Sequence, residues 1–450
     1  MGRRRMEGGG GGARARGGGG GGGGAGPGGR GGLGLRARVL GPLLGPVLGL
    51  AAAALPVKDV LTFLVSAVLF CPVYLGSPAR AYRKLCEGCV VFWVFTFVSG
   101  APFMYAGFFW ALIFGPLWLN ALALLYGGYI YFDRRPYLPD LAPGAHPVRR
   151  WASLRHFRAY FPCRLQATCA LDPARKYVFG YHPHGILSLG VVGNFATEQG
   201  FGAVFPGVNV HPLTLKSNFA VPLWRELALG MGLRDSGRAT CDAILRGGGS
   251  ICLVVGGAAE AIETTPGGIG LTLAQRKGFV RVALANGADL VPCITFGESE
   301  AFRVLRAAPG TLLHDVSAGM KAFFGFAIPV FFGHGPALPP GLRWLSIGLL
   351  PLPRKITTVV GEPVEIKRPF EGDLRSGEGA ELVDKYHRRY LKALRKLYDD
   401  HKEVHFADRQ RTLKFNDAAG DPGFPRFDES GGGPGAPRGV AEVEELLKSL

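Results

Sequence analysis

The amino-acid sequence predicts an α/β domain with a mostly parallel sheet, preceded by a transmembrane helical hairpin. Two observations lead to this fold class. Residues 90–132 form an apolar run without a single charged side chain, and after Arg150 short apolar runs alternate with helical stretches. One membrane-spanning helix needs about 20 apolar residues, so the uncharged run is long enough for two. Strand-length apolar runs separated by helical segments are typical of parallel strands that are covered on both faces.

The chain begins with a segment that cannot fold on its own. Residues 1–38 are almost entirely Gly, Arg and Ala, with eight arginines against one acid, Glu7. Such a composition offers too little apolar surface to offset the entropy of ordering, so we expect a disordered basic arm. A second apolar region at residues 39–77 is broken by Lys58 and Asp59. It fits either another hairpin or an interfacial segment.

Charge and cysteine usage narrow the function classes. The net charge is +17, of which the arm supplies seven. The remaining positive charge suits an anionic membrane surface or an anionic co-substrate better than nucleic acid, for which the sequence contains no binding motif. Basic residues lie on both sides of the uncharged run, so the positive-inside rule places both flanks in the cytosol.

The eight cysteines are scattered, and Cys86 and Cys89 lack a second pair for a zinc site. We expect reduced thiols and no metal.

Four buried strands are predicted in a cytosolic domain of residues 150–410, which a low-complexity tail follows at residues 416–450. The strands are residues 176–181, 251–255, 290–296 and 356–360. Helices are predicted at residues 276–287 and 382–398. The second has apolar residues at helical spacing, which fits packing on the domain or a position on the membrane.

A histidine block follows the first predicted strand. Residues 181–185 read Tyr-His-Pro-His-Gly. Pro183 favours an extended His182, and Gly185 permits a sharp turn, so His184 should lie where the strand gives way to a helix. Ligand sites in open α/β sheets form at this edge. A catalytic base, a metal ligand and a hydrogen-bonded turn residue all remain compatible with His184.

An acidic residue should reach the same edge. The strand at 251–255 runs into Gly-Gly-Ala-Ala-Glu at residues 256–260. If the strands are parallel, Glu260 lies near His184, where a carboxylate could orient the imidazole and stabilise the imidazolium. The alternative is a solvated glutamate at the start of a helix.

Three cations flank the next predicted helix. Arg276, Lys277 and Arg281 should point away from the sheet, where they could bind the phosphates of a nucleotide-bearing acyl donor. Basic residues on an exposed helix are also often merely solvated.

Taken in order, the motifs resemble the type-2 diacylglycerol acyltransferase family, which includes monoacylglycerol and wax-alcohol acyltransferases. Between residues 155 and 405 the matching blocks are residues 160–162 (Tyr-Phe-Pro), 182–185, 205–207 (Phe-Pro-Gly), Pro222 with Arg225 and Glu226, 256–260, 276–297 and 361–363 (Gly-Glu-Pro). The sequence departs from the family in the Gly/Arg arm, the region before Lys84, Gly237 and the tail.

The resemblance implies a glycerolipid-acyltransferase-like domain and acyl-CoA-dependent esterification at the endoplasmic reticulum and on lipid droplets. It makes His184 the catalytic residue and Glu260 its partner, with His182 beside them. Arg225 joins the three cations as a predicted substrate-binding residue.

The predicted acceptor is diacylglycerol, with monoacylglycerol or a long-chain alcohol as alternatives, and acyl-CoA serves as co-substrate without a further cofactor. An oligomer is compatible with the sequence. We expect direct transfer, because no G-x-S-x-G elbow occurs and no cysteine lies in the histidine block. Two other classes remain open. One is a membrane-anchored metal hydrolase with His182 and His184 as ligands, and the other is a lipid-binding scaffold without activity.

Overall fold

The computed structural model describes residues 78–98, 100–139, 146–257, 260, 269–305, 330–334, 347–348, 350–405 and 413–415. The basic arm, the apolar region at 39–77 and the C-terminal tail lie outside these residues, so the predictions for them stay predictions.

Three helices, where we predicted two, precede the domain. They are α1 (Pro78–Val98), α2 (Gly100–Phe114) and α3 (Leu117–Phe132). The break between α2 and α3 falls at Gly115 and Pro116, because Pro116 cannot donate a helical hydrogen bond. α2 and α3 form a hairpin in which the Asn120 side chain donates to the carbonyl of Leu112 (2.6 Å).

The start of the predicted hairpin belongs to the domain instead. Val90 and Trp93 of α1 are completely buried in one cluster with Leu154 and Phe157. Among the described helices, none is by itself long and apolar enough to cross a membrane. One pair passes that test together, residues 82–97 with α2, although its two helices are bent by 69°. The transmembrane hairpin predicted at residues 90–132 therefore remains a prediction.

The domain itself alternates strands and helices. Its helices are α4 (Ala152–Tyr160), α5 (Trp224–Gly230), α6 (Arg238–Arg246), α7 (Gly278–Asn286) and α8 (Gly377–His405). Its strands are β1 (Arg164–Ala167), β2 (Tyr177–His182), β3 (Val210–Thr214), β4 (Arg234–Asp235), β5 (Ser250–Val254), β6 (Ile269–Leu271), β7 (Asp289–Phe296), β8 (Arg303–Leu305), β9 (Val330–His334), β10 (Ile347–Gly348), β11 (Thr357–Val360) and β12 (Leu413–Phe415).

Within the described residues the main sheet has seven strands in the order β1-β11-β7-β2-β5-β3-β4. Every neighbouring pair is parallel except β11 with β7. The mostly parallel sheet is thus confirmed, and the four predicted strands are β2, β5, β7 and β11 with ends shifted by at most one residue. Two smaller sheets, β10-β9-β8 and β12-β6, complete the described strands.

Both faces of the central strands are covered, as their continuous apolar runs predicted. All six residues of β2 are buried. Val178 packs in a cluster with side chains of α6, α7 and α8. Phe179 and Tyr181 face the other side and contact Phe195 and Phe201, which lie in two short helical segments after the histidine block.

The two predicted helices are α7 and α8. α7 ends where Gly287 takes a left-handed conformation (φ 61°), which a glycine adopts at little cost. The longer α8 packs on the domain through buried residues that include Tyr390, Leu394 and Tyr398. Packing, rather than a position on the membrane, accounts for its apolar stripe.

Candidate active site

Three parallel strands bring their carboxyl ends together beside the histidine block. Tyr181 of β2 pairs with Val254 of β5 on one side and with Cys293 of β7 on the other. His184 lies two residues beyond the end of β2, at this edge. Gly185 then turns the chain with φ 59°, as its place in the block predicted.

The imidazole of His184 is held in one orientation by its own loop. Its Nδ1 lies 2.9 Å from the carbonyl oxygen of Gly185, an acceptor, so Nδ1 carries the proton and Nε2 has the free electron pair. Burial lowers the pKa of His184; the Gly185 carbonyl opposes this, and the positive charge of Arg276 lowers it further. The side chain is half-buried. A neutral imidazole with a basic Nε2 is the form that a general base needs.

Glu260 lies next to the histidine block, as the parallel strands predicted. Its side chain is buried, and Oε2 accepts a hydrogen bond from the backbone N–H of His184 (2.8 Å). Oε1 accepts another from the backbone N–H of Thr272 (3.0 Å). The carboxylate packs so closely on Gly256 that a Cβ atom there would overlap it. Glu260 therefore fixes the backbone on which the imidazole is mounted.

His182 is fully buried and faces the core. Its Nε2 lies 2.9 Å from the hydroxyl of Tyr390 on α8, and this hydroxyl donates to the carbonyl of Gly180 (3.1 Å). Because the hydroxyl of Tyr390 donates its proton to the Gly180 carbonyl, it can only accept from His182. Nε2–H of His182 is therefore the donor in this pair. Burial lowers the pKa of His182 to about 3, so the ring is neutral at physiological pH. These contacts give His182 the role of fastening the end of β2 to α8.

The three predicted phosphate-binding cations lie in different surroundings. Arg276 is exposed, donates to the carbonyl of Val255 (3.2 Å) and is close enough to affect the pKa of His184. Lys277 forms an ion pair with Asp384 of α8 (2.8 Å). Arg281 is half-buried one turn further along α7. Arg276 is thus the cation that the structure brings to the histidine.

Arg225 is built into the fold. Its guanidinium is fully buried, pairs with Asp133 at the end of α3 (2.6 Å) and donates to the carbonyl of Phe219 (3.1 Å). It also lies over the ring of Tyr129, with 5.0 Å between the guanidinium carbon and the ring centroid. These contacts tie the hairpin to α5, and the prediction that Arg225 binds substrate gains no support from them.

A second buried carboxylate, which we did not predict, lies under the histidine loop. Glu298 accepts hydrogen bonds from the backbone N–H groups of Leu189 (2.6 Å) and Gly190 (2.8 Å) and from the hydroxyl of Tyr181 (2.9 Å). Burial raises its pKa to about 7, although all three donors oppose the shift. A Cβ atom on Gly185 would come within 2.6 Å of the Glu298 side chain.

The sequence did contain a signal for Glu298. The residue comes two positions after the end of β7, which is parallel to β2, so the rule that placed Glu260 at the edge also applies to it. The loop of His184 is therefore held by two carboxylates, Glu260 at the backbone N–H of His184 and Glu298 at those of Leu189 and Gly190.

The described residues do not bring together three or more His, Cys, Asp or Glu side chains in a way that could hold a metal ion. Nε2 of His182 is hydrogen-bonded to the hydroxyl of Tyr390, so it does not join His184 as a metal ligand.

Comparison with known proteins places this site in a family. The sequence profile of the family described as Diacylglycerol acyltransferase matches residues 111–416. Diacylglycerol O-acyltransferase 2 of Dictyostelium discoideum is 39% identical over 275 residues, which cover 60% of this chain and 79% of the relative. 2-acylglycerol O-acyltransferase 1 of Bos taurus is 35% identical over 338 residues, 74% of this chain and 96% of the relative.

Among solved structures, the 1-acyl-sn-glycerophosphate (LPA) acyltransferase PlsC of Thermotoga maritima is similar over 70% of this chain and 97% of its own, with 10% identity and a TM-score of 0.31. A TM-score this low supports no functional argument. The family profile covers more than half of the chain, and the chain belongs to the diacylglycerol acyltransferase family. The resemblance seen in the sequence is confirmed.

Proposed function

We propose that this chain transfers a fatty-acyl group from acyl-CoA to the free hydroxyl of diacylglycerol, with His184 as the general base. The observation that carries the proposal is the fixed imidazole of His184, whose Nδ1 faces the Gly185 carbonyl and whose lowered pKa keeps Nε2 unprotonated. The family and the relatives named as diacylglycerol acyltransferases support the choice of reaction.

The acceptor hydroxyl is a weak nucleophile at neutral pH, so a base must remove its proton as the C–O bond forms. Nε2 of His184 takes this proton while the oxygen attacks the thioester carbonyl. The tetrahedral intermediate then collapses, the C–S bond breaks, and the CoA thiolate leaves and receives the proton from the imidazolium. The products are triacylglycerol and free CoA, and the imidazole returns to its neutral state.

The hairpin of α2 and α3 supports a site of action at a lipid surface. Six large apolar side chains of the hairpin are between 63% and 87% exposed, namely Ile113, Phe114, Leu117 and Trp118 at its tip and Leu124 and Leu125 further along α3. A soluble protein rarely exposes a contiguous patch of this kind. We extend the proposal to the endoplasmic reticulum membrane and lipid droplets, with the domain on the cytosolic side.

A monoacylglycerol acceptor is the second candidate. The relative named 2-acylglycerol O-acyltransferase 1 is similar along nearly its whole length. Both acceptors present a primary or secondary hydroxyl on a glycerol backbone, so the same base would serve either.

The proposal is tested by incubating the full-length protein in phosphatidylcholine vesicles with labelled oleoyl-CoA and, separately, diacylglycerol, 2-monoacylglycerol and a long-chain alcohol. We expect label in triacylglycerol at the highest kcat/KM. Higher kcat/KM with one of the other acceptors would reassign the substrate. Absence of any labelled ester would contradict the enzyme and favour a lipid-binding scaffold.

A further inference from the structure

Two exposed leucines lie at the ends of the segment that joins β3 to α5. This β3–α5 loop comprises residues 215–223, and Leu215 and Leu223 at its ends are 60% and 61% exposed. The residues between them are anchored, because Phe219 and Val221 are buried in the cluster that holds α1 and α4. The two leucines are therefore displayed from a fixed loop.

The β3–α5 loop leaves the sheet on the same side as His184. β3 runs parallel to β5, and β5 runs parallel to β2. Continuing the registers places Thr214 level with Val254 and Tyr181. Leu215 follows Thr214, so it emerges at the active-site edge, two strands or about 10 Å away from β2.

Leu223 has a backbone conformation that a leucine rarely adopts. Its φ is 62° and its ψ is −45°, and the N–H of Trp224 donates to the carbonyl of Pro222 (2.7 Å). This is a γ-turn with positive φ at its centre, which is a strained conformation for a residue with a side chain. Strain of this kind persists only where the surroundings impose it, and here it turns an apolar side chain toward solvent.

The hairpin and α1 both contact this turn. The backbone N–H of Leu223 donates to the hydroxyl of Tyr126 on α3 (2.9 Å), and that hydroxyl donates to Glu226 (3.3 Å). The next residue, Trp224, meets the ring of Phe97 edge-on, with 5.1 Å between the ring centroids. Leu223 thus lies beside Tyr126 of α3, with its own side chain exposed.

Charge at the rim of this surface matches a phospholipid layer better than a protein groove. Lys216 in the loop and Arg134 after α3 are exposed, whereas Arg135 pairs with Asp133 and Glu226. Cations around an apolar patch interact with lipid phosphates while the apolar side chains enter the acyl region.

From these observations we propose that Leu215 and Leu223 form a lipid-contacting patch at the active-site edge, distinct from the hairpin tip, that holds this edge against the lipid layer. The inference rests on the proposed function, since it gives the lipid acceptor a path from the layer to His184. The patch contacts a lipid surface. The alternative is contact with a second copy of the chain, which the experiment must exclude.

The contact is tested by placing a photoreactive benzophenone amino acid at position 215 or 223 of the full-length protein in vesicles of phosphatidylcholine and phosphatidylinositol that carry a labelled phosphatidylcholine. The control position is Ala174, which is exposed before β2 and so lies at the opposite edge of the sheet. We expect irradiation to attach at least fivefold more labelled lipid at 215 and 223 than at 174. Labelling equal to that at 174, or crosslinking into a protein dimer without lipid, would overturn the proposal.

Leu223→Gly gives a second test, because glycine accepts the positive φ and removes only the side chain. We expect its melting temperature to equal or exceed that of the wild type and its apparent KM for diacylglycerol in vesicles to rise about three- to tenfold, since burying a leucine side chain contributes this much or more to partitioning. An unchanged KM would contradict the patch. Photolabelling requires no turnover, so lipid labelling without ester formation would reject the proposed function and leave the patch intact.

Discussion

The carboxylate of Glu260 binds the backbone N–H of His184 at 2.8 Å and that of Thr272 at 3.0 Å. From the sequence we expected it to orient the imidazole and balance its positive charge. The geometry favours a different role, in which Glu260 fixes the main chain and the Gly185 carbonyl orients the ring. The two roles make different predictions for the same variant.

Glu260→Gln should lower both stability and kcat without moving the acid limb of the pH–kcat profile. A glutamine has one acceptor oxygen where the carboxylate has two, so one of the two buried N–H groups loses its partner at a cost of about 1–3 kcal/mol. If the charge of Glu260 stabilised the imidazolium, its removal would lower the pKa of His184 and shift the acid limb to lower pH. Such a shift in the profile, with unchanged stability, would restore the charge-balancing role.

Arg276→Gln should shift the acid limb of the pH–rate profile to higher pH. The base works in its neutral form, and the nearby positive charge of Arg276 disfavours the imidazolium and so lowers the pKa of His184. Removing the charge raises that pKa, and more of the base is then protonated in mildly acidic buffer.

Lys277→Gln is the matched control for Arg276→Gln, because Lys277 is the neighbouring cation but forms an ion pair with Asp384 of α8, which offsets its charge. Both variants should raise the apparent KM for acyl-CoA if the cations bind its phosphates, in a salt-dependent manner. The account of Arg276 fails if both variants shift the acid limb equally.

Glu298→Gln should reduce kcat and change how stability depends on pH. The pKa of the buried carboxyl is raised to about 7 from an ordinary 4.5, so folding favours its protonated form. Its contribution to stability is then complete below pH 4.5 and is lost as the pH rises through 7. Melting temperatures measured from pH 4.5 to 7.5 should therefore fall more for the wild type than for Glu298→Gln.

Asp289→Asn is the control for Glu298. Asp289 is equally buried at the opposite end of β7, where it binds Arg175 and the backbone N–H of Ile366. We expect the variant to lose stability yet keep the kcat of the folded enzyme. A kcat loss as large as that of Glu298→Gln would mean that the Glu298 effect is general destabilisation rather than positioning of the histidine loop.

The central strands could be predicted because their chemistry is local. β2, β5, β7 and β11 are mostly apolar and largely buried, and such runs stand out in a sequence. β3 was missed because His211 and Pro212 interrupt its apolar run. β4, with two residues, and β1, largely exposed at the sheet edge, lack this signal and were missed as well. They are held by pairing with neighbours rather than by their own composition.

Site residues could be predicted from the sequence where they follow the end of a strand. His184 follows the end of β2 by two residues and Glu260 follows the end of β5 by six, and parallel pairing brings them together. The bond between His182 and Tyr390 joins residues 208 apart, and nothing local to either indicates it. The ion pair of Arg225 with Asp133 likewise depends on where the hairpin docks, which the sequence does not specify.

The general-base role of His184 is tested most directly by the kcat of His184→Gln in the full-length protein, measured with oleoyl-CoA and diacylglycerol in vesicles. Glutamine keeps a polar side chain that can donate to the Gly185 carbonyl but has no basic nitrogen. We predict a kcat lower by about 100- to 10,000-fold, with membrane yield and melting temperature close to the wild type. Turnover within a few-fold of the wild type would contradict the mechanism.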